Sequence, residues 1–478
     1  MNVVFMMSDT LRADHLSCYG NDWIHTPNIE AFARRSAVFD KAYTASFATI
    51  PNRTDLMTGR YGEPLHPWLP LHWDALTYVE ILRENGFVTQ LINDTPHLIN
   101  AGHGFDRPFH AWLMIRGNEV DRFRMDSLPV DFPTKDLSKI IARPANRSDA
   151  QYLRNVRYRC TEEDYFPAQL YGTACEWLEL NQGHENFFLW IDGFDPHEPW
   201  DPPQHYLDLY ETDYDGDVFL QHIRVPPEAM TEAEMSHLKA TYAASVTLVD
   251  RWWGELFKTL ERLGMMDDTA VIVTADHGTY LCEHGKVMGK SPPLYDQAAR
   301  VPLLIRLPDG TGAGKRFNAL AQAPDIMPTI LDWAGLPIPD TVQGKSLLPV
   351  LRGEAEDIRE LAFSGTAPNA TADQALITVR DGRWMLHDFT DRDRWELYDG
   401  ENDPAQERNV IEEHAQEADR LHGGLLEFLK THEAPVQVVR WFETGDKGDM
   451  TGYRYRPPGY ENFETYWNWI LDSNIVPE

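Results

Sequence analysis

The chain has 478 residues, enough for one large domain with appendages or for two to three ordinary domains. Hydrophobic residues make up 42% and aromatics 12%, which supplies a sizeable core and excludes general disorder. The 43 Lys and Arg stand against 75 Asp and Glu, a net charge of −32, and so acidic a surface excludes nucleic acid and anionic membrane as partners.

The chain opens on "NVVFMMSD", with no basic leader and no long apolar stretch, so a cytoplasmic protein is expected. This short apolar run closed by polar residues predicts a strand buried in a parallel sheet. The same form recurs in "FVTQLIND" (87–94), "NFFLWIDGFD" (186–195), "TAVIVTADHG" (269–278) and "VPLLIRLP" (301–308). Between them lie helical patterns; the clearest puts Leu238, Tyr242, Val246, Val249, Trp253, Leu256 and Leu260 on one stripe, read as core packing. Alternating strands and helices predict an α/β fold with a large, doubly wound, mostly parallel sheet, whose ligands sit beyond the carboxyl ends of the strands.

Residues 115–165 are irregular and charged, an insertion expected to cover or wall the site. After "GKSLLPVLRGE" (344–354) come the alternating segments "ALITVRDGRWMLHDF" and "RWELYDGENDP", which predict a small antiparallel sheet, followed by an amphipathic helix over about 411–431. The expected division is therefore a large α/β domain (1–355), a small α+β subdomain (356–434) and an aromatic-rich extension (435–478). The extension needs a surface to cover, on its own domain or on a second subunit, so a homo-oligomer is expected through it. Cys18, Cys160, Cys175 and Cys282 are scattered and lack CxxC spacing, which argues against a disulfide framework or a zinc knuckle.

Asp9, Asp195 and Asp276 fall where apolar runs end, and His277 follows Asp276. Carboxylates and an imidazole converging at strand ends can bind a divalent cation, although an Asp there can equally cap the next helix. In "TIPNRTDLMTG", Pro51 suits a first helical turn, which puts Thr49 at or just before the N-terminus, where free N–H groups favour an anion or a nascent alkoxide. Arg53, one turn on, carries a fork that matches two oxygens of a tetrahedral anion. The competing reading makes Thr49 a plain N-cap. "DPHEPW" places His197 just past a strand end, and "EHGKVMGK" supplies His284, Lys286 and Lys290. Cations gathered around candidate metal ligands stand out in a chain of net charge −32.

These residues resemble a known family. "NVVFMMSDTLRADHLSCYG", "TPNIEAFARRSAVFDKAYT", "TIPNRTDLMTGR", "FFLWIDGFDPHEPW", "VIVTADHG", "EHGKVMGK", "VPLLIRLP", "GKSLLPVL" and "WELYDGENDP" occur in the order and approximate spacing of the sulfatase family of the alkaline phosphatase superfamily. The resemblance covers residues 1 to about 432 and implies an alkaline phosphatase-like fold. The family signature is CxPxR or SxPxR followed by xxLxTG, whose first residue becomes formylglycine. Here Pro51, Arg53, Leu56, Thr58 and Gly59 are kept and Thr49 replaces the Cys or Ser, so no formylglycine is expected. Sulfatases carry paired aspartates after the first strand, whereas here Asp9 is followed by Thr10. The family's "GKWHLG" appears as "NDTPHLI", keeping His97 with Thr95 in place of the lysine.

Formylglycine acts as a gem-diol whose second hydroxyl expels sulfate, and threonine has no second hydroxyl. A phosphothreonine, by contrast, can be cleared by water attacking phosphorus. The resemblance therefore implies a metal-dependent hydrolase of small anionic phosphate esters, phosphodiesters or phosphonate monoesters, acting through phospho-Thr49. It implies one divalent metal on Asp9, Thr49, Asp276 and His277, with Mn²⁺ or Zn²⁺ placed ahead of Ca²⁺ because of the imidazole. Arg53 and Lys290 would balance charge, His197 would serve the leaving group, and His97 and Lys286 would contact substrate. Two alternatives stay open: a sulfuric ester or sulfamate hydrolase that uses threonine, and a non-catalytic anion-binding relative.

Overall fold

The computed structural model describes residues 1–99, 102–136, 139, 145–211, 213–220, 223, 225–368 and 372–449. The greater part of the aromatic extension, 450–478, lies outside the described residues. The chain forms two compact units that interleave along the sequence: Met1–Asp40, Val79–Lys290 and Val301–Phe317 make up the first, and Lys41–Tyr78, Ser291–Arg300 and the chain from Asn318 onward make up the second.

The first unit is built on an eight-stranded sheet. From one edge the strands are Arg316–Phe317, Ala37–Phe39, Leu303–Arg306, Thr269–Ala275, Asn2–Ser8, Phe187–Gly193, Val88–Asn93 and Ala111–Met114. Every residue of Asn2–Ser8, Phe187–Gly193 and Thr269–Ala275 is buried, as expected of continuous apolar runs covered on both faces. The five apolar runs of the sequence all form strands of this sheet. One runs against the rest: Leu303–Arg306 pairs antiparallel with both neighbours, while the other pairings are parallel. The long helix Glu232–Arg262 begins with a capping box at Thr231 and Glu234 and buries the whole stripe from Leu238 to Leu260.

The second unit carries a four-stranded antiparallel sheet, Ala362–Gly365, Leu376–Arg380, Trp384–Phe389 and Glu396–Asp399, in sequence order. The helix Ala415–Thr431 starts a turn later than the periodicity suggested and buries Leu421, Leu425 and Leu429 against this sheet's core. The described part of the extension adds a helix, Val436–Thr444, whose Trp441 and Phe442 enter the same core.

In the second unit Thr49–Thr58 is a helix with Ala48 at the cap position, and all ten of its residues are buried. It ends on Gly59 at φ +64°, where a β-carbon would stand 2.9 Å from Val342 Cγ1 and 3.0 Å from Met327 Sδ. The Gly59 carbonyl accepts from the amides of Gln343 and Gly344. Both the left-handed turn and the close approach require glycine. Gly59→Ala is expected to lower stability by about 1–3 kcal/mol, read as a fall in the denaturation midpoint.

Candidate active site

The first strand and Thr269–Ala275 pair in register, Ser8 opposite Ala275, so the residues that follow, Asp9 and Asp276, emerge side by side at the carboxyl edge. His277 comes next. Each of the three offers a ligand atom within 4.8 Å of the others, and all three are fully buried. The amides of Thr10 and His277 donate to Asp276 Oδ1 at 2.9 and 2.7 Å, and the Thr10 hydroxyl donates to Asp9 Oδ1 at 2.8 Å. Hydrogen bonds of this kind hold a carboxylate in its charged form and fix which oxygen faces the centre.

His277 Nδ1 lies 2.9 Å from the Gly278 carbonyl, which can only accept, so Nδ1 carries the proton. Its Nε2 is turned toward the acids, 3.5 Å from Asp276 Oδ2 and 3.9 Å from Asp9 Oδ1. Burial, and then the Lys290 charge, push its pKa down to about 3, leaving a neutral imidazole at neutral pH. Two carboxylates and an imidazole oriented through its other nitrogen form a donor set that fits a divalent transition metal.

Lys290 donates to Thr10 Oγ1 at 3.0 Å, and its Nζ stands 3.8 Å from Glu198 Oε2. His197, just beyond the strand Phe187–Gly193, is buried and stacks on Phe194 with centroids 4.0 Å apart. Its Nδ1 donates to the Glu198 carbonyl, and burial lowers its pKa. His97 Nε2 is 2.9 Å from Glu119 Oε2, and the Lys286 ammonium lies over the Tyr280 ring, 4.0 Å from its centroid. His284 occupies the turn of the Tyr280–Gly289 hairpin at φ +50°. Thr95 donates to Asp192 Oδ1 at 2.6 Å, a buried structural bond. Asp195 is half-buried near Arg159 and Asp201, and desolvation raises its carboxyl to about 7.

Thr49 and Arg53 belong to the second unit. Thr49 is the first residue of its helix, and no side chain caps that helix, so it is not an N-cap. Arg53 Nη1 turns back to donate to the Thr49 carbonyl at 3.2 Å. Sequence reasoning missed Thr10, noticed only as a departure from the family, and Tyr242, assigned to core packing. Tyr242 Oη donates to the Thr10 carbonyl at 2.8 Å and accepts from Arg12 N at 3.0 Å. A tyrosine in an otherwise apolar stripe was the available signal, since a buried hydroxyl requires a partner.

A model of the sulfatase family matches residues 1–336, and one for the C-terminal part of N-sulphoglucosamine sulphohydrolase matches 283–431. The chain belongs to the sulfatase family, whose members are ester hydrolases that use a divalent metal ion. The N-acetylglucosamine-6-O-sulfatase of Bacteroides thetaiotaomicron is 25% identical, over 86% of this chain and 82% of that one. The arylsulfatase of Clostridium perfringens is 25% identical, over 90% and 95%. The structure of the phosphonate monoester hydrolase of Agrobacterium radiobacter superposes with a TM-score of 0.70 at 22% identity, over 90% of this chain and 96% of that one. Among the described residues, no helix is long and apolar enough to cross a membrane.

His277→Gln is expected to weaken divalent cation binding by at least about 100-fold, measured calorimetrically on metal-stripped protein. Because His277 has a folded pKa below its unfolded one, the metal-free protein should lose stability as pH falls from about 6.5 toward 3. Denaturation midpoints across that window should show a shallower slope for the variant.

Proposed function

We propose that the protein hydrolyses phosphate esters, phosphodiesters or phosphonate monoesters, through a covalent intermediate on Thr49. The observation that carries this reading is the residue itself. Thr49 heads a buried helix in a motif that otherwise matches the family, at the place where sulfatases need an aldehyde. A threonine cannot become one, and it lacks the second hydroxyl that expels sulfate. On phosphorus that hydroxyl is not needed, because water can attack the phosphothreonine in line.

A divalent cation on Asp9, Asp276 and His277, with Thr49 as a further ligand, would supply the Lewis acidity that eases loss of the Thr49 proton, and the imidazole favours Mn²⁺ or Zn²⁺ over Ca²⁺. Thr49 Oγ forms a bond to phosphorus as the bond to the leaving oxygen breaks. Arg53 and Lys290 supply positive charge for the non-bridging oxygens, and His97 and Lys286 are assigned to the substrate's outer contacts. His197 protonates the leaving oxygen. Its Nδ1–H is engaged by the Glu198 carbonyl, so donation from Nε2 requires the protonated ring. Burial disfavours that form, and the neighbouring Glu198 carboxylate, 3.4 Å away, favours it.

A second reading, a sulfuric ester hydrolase that uses threonine, draws on the names of the curated relatives. A panel of aryl sulfate, phosphate monoester, phosphodiester and phosphonate monoester separates the two. Turnover of a phosphorus substrate at least about 100-fold above the sulfate supports the first reading, and the reverse order overturns it.

Thr49→Ala is expected to lower kcat by about 1,000-fold or more, with bound metal unchanged by elemental analysis. Activity within tenfold of the unsubstituted protein would show that water is the nucleophile. His197→Asn is expected to cost about 100- to 10,000-fold with alkyl leaving groups and far less with nitrophenolate, which needs no proton.

A further inference from the structure

Thr10 has a geometry that nothing in the reaction above uses. It follows Asp9 at the end of the central strand, is fully buried, and sits at φ +63°, a region that β-branched residues rarely adopt. Its amide donates to Asp276 Oδ1, its hydroxyl donates to Asp9 Oδ1, and the Lys290 ammonium donates to that same hydroxyl at 3.0 Å. Its carbonyl accepts from Tyr242 Oη at 2.8 Å, and Tyr242 also takes the amide of Arg12. Arg12 is itself buried, held by Asp14 through two nitrogens and by Glu283 at 2.8 Å. The turn is thus fixed from the long helix on one side and from the Tyr280–Gly289 hairpin on the other.

We infer that Thr10 is a positioning residue that anchors Lys290 beside the cation ligands without adding a second negative charge to that of Glu198, 3.8 Å from its Nζ. A hydroxyl has one proton to give and lone pairs to receive. Here the proton goes to Asp9 and a lone pair takes Lys290, so one neutral group fixes both a candidate metal ligand and a cation. Glu198 Oε2, 3.8 Å away, is then the carboxylate that faces the ammonium, and no further one at position 10 competes with an anionic substrate for it. A carboxylate at this place, as in relatives with paired aspartates, would add a negative charge to the cation site and give Lys290 a second salt bridge beside that to Glu198. It would bind a divalent cation more tightly and leave less positive charge for the substrate. Thr10 therefore trades cation affinity for a lysine with one carboxylate partner fewer. The inference rests on the reading of Lys290 as a substrate-facing charge, and it is independent of whether phosphorus or sulfur is attacked.

The test uses the full chain with Thr10→Asp, Thr10→Val and Thr10→Ser. Cation affinity is measured calorimetrically with Mn²⁺ and with Ca²⁺ alone, and kcat with the best substrate of the panel. Thr10→Asp should tighten cation binding by about tenfold or more, most for Ca²⁺ as the harder ion, while kcat falls about tenfold or more. Thr10→Val should weaken cation binding by about 10- to 100-fold and lower kcat with it, and Thr10→Ser should stay within about threefold of the unsubstituted protein in both. The opposite movement of affinity and kcat in Thr10→Asp is a result that a merely structural role would not give. Affinity and kcat moving together in Thr10→Asp, or Thr10→Val matching Thr10→Ser, would overturn the inference. Should Thr10→Val not fold, the contrast of Asp with Ser decides. Should the panel favour the sulfate, the reading of the central atom fails while the cation affinities still decide the role of Thr10.

Discussion

Two carboxylates and an imidazole held together with no exposure to water set the constraint on which the first unit depends. Each buried charge costs several kcal/mol unless it is hydrogen-bonded and offset by opposite charge. The chain meets that demand with its own backbone: the amides of Thr10 and His277 both serve Asp276, and only a left-handed turn after the first strand brings the Thr10 amide there. That turn in turn requires the Tyr242 hydroxyl at its carbonyl, and hence the long helix in a fixed register over the sheet. The in-register pairing of the first strand with Thr269–Ala275 is what makes both acids emerge together.

The second unit solves a related problem differently. Its helix Thr49–Thr58 is rich in polar residues and yet wholly buried. Threonine hydroxyls donate back one turn, Thr54 to Ile50 O and Thr58 to Thr54 O, and Asp55 accepts both the amide and the hydroxyl of Ser46. Desolvation nevertheless raises the Asp55 carboxyl well above its usual range. A polar helix in a dry place is poor economy for stability alone, which is the physical reason to look for chemistry in this segment.

The strands were legible because a buried parallel strand must be apolar throughout, and the acids after them stood out against that background. Strand direction was not legible: "VPLLIRLP" reads the same whichever way it runs, and only its neighbours make Leu303–Arg306 antiparallel. The strand Ala362–Gly365 passed unnoticed because four residues, with Phe363 the one large side chain, are too few to show an alternating pattern, whereas pairing with Leu376–Arg380 and burial define it. Tyr242 was legible as a core residue and illegible as a support of the turn, since periodicity reports which face a side chain occupies and nothing about where its hydroxyl ends.

By itself the sequence determined the family, the α/β alternation, the strand-end acids and the threonine that stands in place of the family's Cys or Ser, because these follow from local residue order and from hydrophobic period. The tertiary structure alone decided that Thr10 takes a left-handed turn, that its hydroxyl joins Lys290 to Asp9, and that Tyr242 holds the turn in place. Those contacts link residues more than 200 positions apart in the chain, Thr10 to Tyr242 at a separation of 232 and Thr10 to Lys290 at 280. Nothing in local propensity encodes a partner at that distance; the sheet and the long helix bring it there.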